Sequence, residues 1–276
     1  MTEPGAADAA VAGAVSAARA VAAETAHTFA DAFGDRLTAV YLLGSLAYGG
    51  YAPAVSDIDL AVVLADRRPA DPATVTAIVD RLRGQSALHA KLSVFWGSLP
   101  ALREGRDDGR FPAIDRVQLA GQGRLLLGDA VADQMAGASD RDLLLESAGF
   151  AAGLLASDEV VGEFHQPRRL LKDAVWFTKA VLFPVRFLRG ASTTNDEAID
   201  WYLGRPGRTG EDLVRLAARV RAGAPLEPAE AEPALAAGLA PLYRVYIDDH
   251  LVRLRRTAAP ADLVTAFIRW RERLPA

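Results

Sequence analysis

Along the first half of the chain the apolar residues change period several times. Residues 8–33 are dominated by alanine, carry few acidic residues and close at Gly34, which predicts a helix. Two short apolar runs, "LTAVYLLG" (37–44) and "DLAVVLA" (59–65), predict buried strands. "DPATVTAIVDRLRG" (71–84) returns to three-to-four spacing, opens on Asp-Pro and ends in glycine, the two boundary signals of a helix. "ALHAKLSVFW" (87–96) is a third strand candidate, and "GRLLLGD" (123–129) a short fourth.

After the polar stretch "ADQMAGASDRD" the strand pattern stops. Helical blocks follow at about 140–157, 165–189, 194–203, 210–222, 228–250 and 260–273. Strands mixed with helices first, and helices alone afterwards, predict an α+β chain of two domains. The expected division is a small mixed sheet with helices over residues 1–135, then a helical bundle over 136–276.

Composition narrows the class. A length of 276 residues suits two domains of ordinary size, and 51% hydrophobic with 24% charged residues is the balance of a soluble globular protein. A net charge of −4 gives no general attraction to nucleic acid or anionic membrane. The absence of cysteine excludes disulfides and thiolate metal sites and fits the cytoplasm. The N-terminal stretch, with Glu3 and Asp8, lacks the basic start of a signal peptide. Lys179 and Arg186 interrupt the nearest candidate for a membrane span, so none is expected.

The chemistry concentrates in "YLLGSLAYGGYAPAVSDIDLAVVL" (41–64). Side chains two apart on a strand point the same way, so Asp57 and Asp59 share one face while Ile58 and Leu60 face the core. Two carboxylates that close repel unless a cation lies between them. Mg²⁺ suits the position: it takes oxygen ligands, commonly one or two carboxylates, and completes its shell with water and substrate phosphates. Gly44 and Ser45 end the preceding strand. Glycine lets a phosphate approach the backbone, serine offers a hydroxyl, and a helical turn from "LAYGG" would present free N–H groups. Taken separately, a Gly-Ser turn and an Asp-x-Asp strand end are ordinary surface features. Together, each tied to an apolar strand, they point to a nucleotide and a metal.

The stretch "GSLAYGGYAPAVSDIDL" resembles the signature of the DNA polymerase β-like nucleotidyltransferase superfamily, Gly-Ser followed some ten residues later by Asp-hydrophobic-Asp, with Ser56 as in the small-enzyme version. The resemblance implies that Gly44 and Ser45 bind the triphosphate of ATP and that Asp57 and Asp59 ligate Mg²⁺. It also implies in-line displacement at the α-phosphate with pyrophosphate leaving. "AVWFTKAVLFPVRFLRGASTTNDEAIDWY" (174–202) resembles the helical domain of aminoglycoside adenylyltransferases, through Gly190, Ala198 and Trp201. An aminoglycoside-like antibiotic is therefore the acceptor class the resemblance implies. Such relatives are in some cases homodimers that complete each other's sites.

Two departures stand out. Many relatives carry a third carboxylate on the next strand, where this chain has Lys91, with His89 and Ser93 expected on the same face. Asn195 stands where the aminoglycoside enzymes tend to have lysine. Lys91 reads as a phosphate or acceptor contact, as a surface residue, or as the mark of a silent nucleotide-binding relative. His89 is the natural general base if one is needed. Lys172 and Lys179, seven apart with Trp176 between them, are candidates for the triphosphate or for a solvated helix face.

The remaining candidates are weaker. Trp176, Phe177, Phe183 and Phe187 read as core. Thr194 and Glu197 read as a capping box, Asp115 as a helix residue or a stand-in acid, and Glu159, Glu163 and Asp173 as ordinary helix acids. Asp248, Asp249 and His250 are contiguous and read as a solvated helix rather than a metal cluster. The rival activity is AMP transfer to a protein hydroxyl, as in minimal nucleotidyltransferases of toxin–antitoxin pairs, whose chains usually lack so long a helical domain.

Overall fold

The computed structural model describes residues 6–154, 194–205 and 207–274. It divides into two compact units, Met1–Ala138 and Ser139–Ala276. Lys172, Lys179, His165, Gly190, the aromatic residues 176–187, Glu159, Glu163, Asp173 and the helix expected at 165–189 lie outside the described residues.

In the first unit the described strands are β1 (Leu37–Leu42), β2 (Ile58–Leu64), β3 (Leu92–Ser98) and β4 (Arg124–Gly128). They form one sheet in the order β3-β2-β1-β4, with β1 antiparallel to β2 and β4, and β2 parallel to β3. Helices α1 (Ala6–Phe33) and α3 (Asp71–Arg83) cover one face. There Ala22, Phe29, Val79 and Leu82 pack on Val40, Leu42, Ile58, Leu60, Val62, Leu92 and Val94. The alternate residues Ala39, Tyr41, Ala61 and Val63 face the other layer. This layer holds Leu102 of α4 (Leu99–Arg103), Leu119 of α5 (Ala113–Gln122) and the buried Phe111. Strict alternation on β1 and β2 thus builds two cores from one sheet. The polar ends of the same alternation become the site.

The helix expected at 71–84 forms over Asp71–Arg83 with proline in its first turn. The strand expected at 87–96 differs. Residues His89–Lys91 make a 3₁₀ turn, and β3 starts only at Leu92. The cause is local: the Ser86 hydroxyl accepts from the His89 backbone N–H (3.2 Å) and pairs with its ring Nδ1 (2.8 Å), holding the chain in a turn.

The second unit shows only helices among its described residues: α6 (Asp140–Leu154), α7 (Asn195–Leu203), α8 (Glu211–Arg221), α9 (Pro228–Arg256) and α10 (Ala261–Arg273). Leu144 and Ala148 of α6, Tyr243, Ile247 and Leu254 of α9, and Phe267 and Trp270 of α10 make its core. The expected capping box is present: Thr194 accepts from Glu197 N–H (3.2 Å), and Glu197 accepts from Thr194 N–H (2.9 Å). Of the contiguous acids and histidine, Asp248 pairs with Arg271 and Asp249 with Arg253 at the surface. His250 departs from the expectation of a solvated face. It is 1% exposed, against Tyr246 and Phe267, and burial pushes its pKa down to about 4.

Candidate active site

The site lies where β1 ends and β2 begins. β1 leaves the sheet at Leu42, and Gly44 opens the short helix α2 (Gly44–Tyr48). Leu43 N–H donates to the Asp59 carbonyl (2.8 Å), so the turn is bonded to the strand that carries the acids. Gly44 has φ +63°, and a Cβ placed there would stand 2.2 Å from the Asp59 carboxylate oxygen Oδ2. Any side chain at 44 would therefore collide with the acid. Only glycine meets both demands.

From α2 the chain runs through Gly49, in a positive-φ conformation, into a compact loop. The Ser45 hydroxyl donates to Ser56 Oγ (3.2 Å), and Ser56 Oγ accepts from Ala52 N–H (2.9 Å). Two buried hydroxyls thus staple the Gly-Ser turn to the residue before Asp57. Ser56 is part of the architecture as well as of the motif.

β2 then presents the acids. Ile58 and Leu60 point into the α1/α3 core, and Asp59 lies on the opposite face with Ala61 and Val63. Asp57, one residue before the strand, has the same parity, and both acids are half-buried. On the parallel neighbour, Ser93 is the residue in register with Asp59, and Ile58 is in register with Leu92. On β3, Ser93 and not Lys91 is the residue level with Asp59. Among the described residues no group of three or more acidic or histidine side chains is placed to hold a metal.

Lys91 lies on the 3₁₀ turn at the level of Asp57. Its ammonium donates to the Pro53 carbonyl in the same loop. Burial pulls its pKa below the usual lysine range, and the Asp57 charge opposes that. Tyr51, which sequence reasoning missed, is the mirror case: burial raises its phenol pKa and the Asp57 charge adds to the rise. Tyr51 sits between the two halves of the motif, but only the folded loop brings it to Asp57.

His89 goes elsewhere. Its Nδ1 pairs with Ser86, and its Nε2 lies 3.4 Å from the Glu24 carboxylate on α1, the helix covering the opposite face of the sheet. The expectation that His89 and Lys91 share a strand face is corrected by the turn, which sends them apart. Asp115 lies in the first turn of α5, half-buried. The structure thus brings Gly44, Ser45, Asp57, Asp59 and Lys91 to one edge and does not bring His89 with them.

The donor set fits a hard divalent cation. Two carboxylates of matched parity at a strand edge, beside a turn with no room for a side chain at Gly44, supply oxygen ligands of the kind such an ion takes.

Residues 26–96, from the last eight residues of α1 into β3, match the family model described as "Nucleotidyltransferase domain". In fold, the chain is similar to spectinomycin adenyltransferase AAD(9) from Enterococcus faecialis, solved with ATP and spectinomycin. The TM-score is 0.52 at 10% identity, covering 92% of this chain and 98% of that one. No curated protein matches it by sequence.

Proposed function

We propose, for a chain that carries a nucleotidyltransferase domain in the fold of an adenyltransferase, that it transfers AMP from ATP to a hydroxyl of a small molecule, working in the cytoplasm. The observation that carries this reading is the contact between Gly44 and Asp59: a turn suited to phosphate is pressed against an acid suited to metal.

Asp57 and Asp59 would hold Mg²⁺, which when bound supplies charge neutralisation for the phosphates and the α-phosphorus. The chain's own residues do the positioning. Gly44 admits a phosphate to the backbone. Ser45 and Ser56 fix that turn relative to Asp57, and β1–β2 pairing fixes it relative to Asp59. A bond forms between the acceptor oxygen and the α-phosphorus. The bond from that phosphorus to the bridging oxygen breaks with its electron pair going to the departing pyrophosphate, and the hydroxyl proton passes to solvent. Held geometry of this kind accounts for much of the rate of phosphoryl and nucleotidyl transfer.

An aminoglycoside-like antibiotic is the acceptor class favoured, because the fold likeness extends over both units to an enzyme solved with spectinomycin. The test is incubation with labelled ATP, Mg²⁺ and a panel of aminoglycosides and spectinomycin, reading nucleotidylated product and pyrophosphate. One labelled product with stoichiometric pyrophosphate is expected. Pyrophosphate without any labelled antibiotic would reject the acceptor class, and neither product would reject the activity.

A further inference from the structure

We infer that Lys91 is a built-in cation serving Asp57, and that the site consequently takes one divalent ion with its nucleotide rather than two. The inference rests on the nucleotidyltransferase reading above and deepens it.

Three observations carry it. First, Lys91 is anchored: its ammonium donates to the Pro53 carbonyl, four residues before Asp57, in the loop already stapled by Ser45, Ser56 and Ala52. A lysine on an open surface would swing through solvent, whereas this half-buried one is fixed in place. Second, the parallel register sets Lys91 beside Asp57. Leu92 is paired with Ile58, so one residue back on each chain puts the Lys91 and Asp57 backbones at the same level, and the Asp57 charge acts on the ammonium. Third, the position in register with Asp59 is Ser93, a neutral group. The described residues provide no third acidic or histidine ligand at this edge.

The charge arithmetic follows. A Mg²⁺ ion held by one or two carboxylates and by phosphate oxygens is satisfied by Asp57, Asp59 and a triphosphate. A second ion would need further anionic ligands and would meet the Lys91 ammonium, held at the Pro53 carbonyl in the same loop. Like charges at that range repel strongly in a partly desolvated site. Lys91 therefore does for Asp57 what a second metal would do, permanently and without exchange. It is a positioning residue, acting on the nucleotide through the acid and the loop.

The test counts ions. The full chain is titrated with Mn²⁺ in the presence of α,β-methylene ATP, with bound ion separated by equilibrium dialysis and read by electron paramagnetic resonance. One Mn²⁺ per chain is expected in the complex. Without nucleotide, Lys91→Met should bind Mn²⁺ about tenfold more tightly, because a competing cation is gone, and Lys91→Arg should stay near wild type. Should Lys91→Met fail to fold by circular dichroism, Lys91→Gln takes its place, and the wild-type count stands on its own. Two ions per wild-type complex, or unchanged or weaker Mn²⁺ affinity on loss of the charge, would overturn the inference and leave nucleotidyl transfer standing. Binding of neither Mn²⁺ nor the analogue would overturn both.

Discussion

The two ends of the sheet carry the same kinds of residue and put them to opposite use. At the end away from the site, Arg36 precedes β1 and its guanidinium spans Asp66 (2.6 Å) and Asp71 (2.8 Å). Asp71 also accepts from Arg68 N–H (2.7 Å). Burial alone would raise the Asp71 pKa, but the hydrogen bonds from Arg36 and Arg68 win and hold it below the usual carboxylate range. This is a closed network in which acids are matched by guanidiniums, and it locks α3 to the β1–β2 ladder. At the other end, Asp57 and Asp59 share one parity at the start of β2, with Lys91 at the level of Asp57 and a neutral serine in register with Asp59. Carboxylates matched within the fold are structural. Asp57 and Asp59 instead share one edge against a turn that excludes side chains.

Substitutions sharpen this contrast, and the largest effect belongs to the site. Asp59→Ala should cut pyrophosphate release by on the order of a thousandfold or more, with the chain still folded. A parallel loss of folding would place Asp59 with the structural acids and break the contrast. Gly44→Ala comes next. The added Cβ meets both a positive φ and the Asp59 carboxylate, so activity should fall about a hundredfold and stability by about 2 kcal/mol.

A titratable group remote from either end offers a pH test. His250 is buried neutral on α9, accompanied by the Tyr246 carbonyl, Asp249 and Arg253. Its folded pKa, about 4, lies below the ordinary histidine value, so between about 6.5 and 4 the unfolded chain binds the extra proton. Stability should therefore be intact above about pH 6.5 and decline as pH falls, by on the order of 3 kcal/mol near pH 4. Urea melts across that range should show the decline in wild type and a flatter profile in His250→Gln. Asp71→Ala is the smallest of the four effects. It should lower the melting temperature by on the order of 5 °C while activity per folded molecule stays within about threefold.

Much of this was legible in local pattern. Alternation told which residues of β1 and β2 face each core, and the spacing of Gly44, Ser45, Asp57 and Asp59 singled out residues that the fold brings to one edge. Thr194 and Glu197 signalled the start of α7 through a purely local bond pair. What escaped was non-local or hidden in a turn. "ALHAKLSVFW" is apolar enough for a strand from its first residue, but the Ser86–His89 turn delays β3 to Leu92 and so reassigns His89, Lys91 and Ser93. Arg36 reaching Asp71 and Tyr51 reaching Asp57 depend on strand pairing and loop closure that no window of sequence contains. His250 lies within a polar-looking run, yet one turn of α9 aims it at the aromatic core.

The most direct trial of the central claim is calorimetric titration of the chain with α,β-methylene ATP, with and without Mg²⁺, in wild type and Asp59→Asn. Metal-linked nucleotide binding at Asp59 predicts that wild-type affinity rises at least about tenfold with Mg²⁺ and that this rise vanishes in Asp59→Asn. Equal affinity with and without Mg²⁺, or a Mg²⁺ effect that survives in Asp59→Asn, would contradict it.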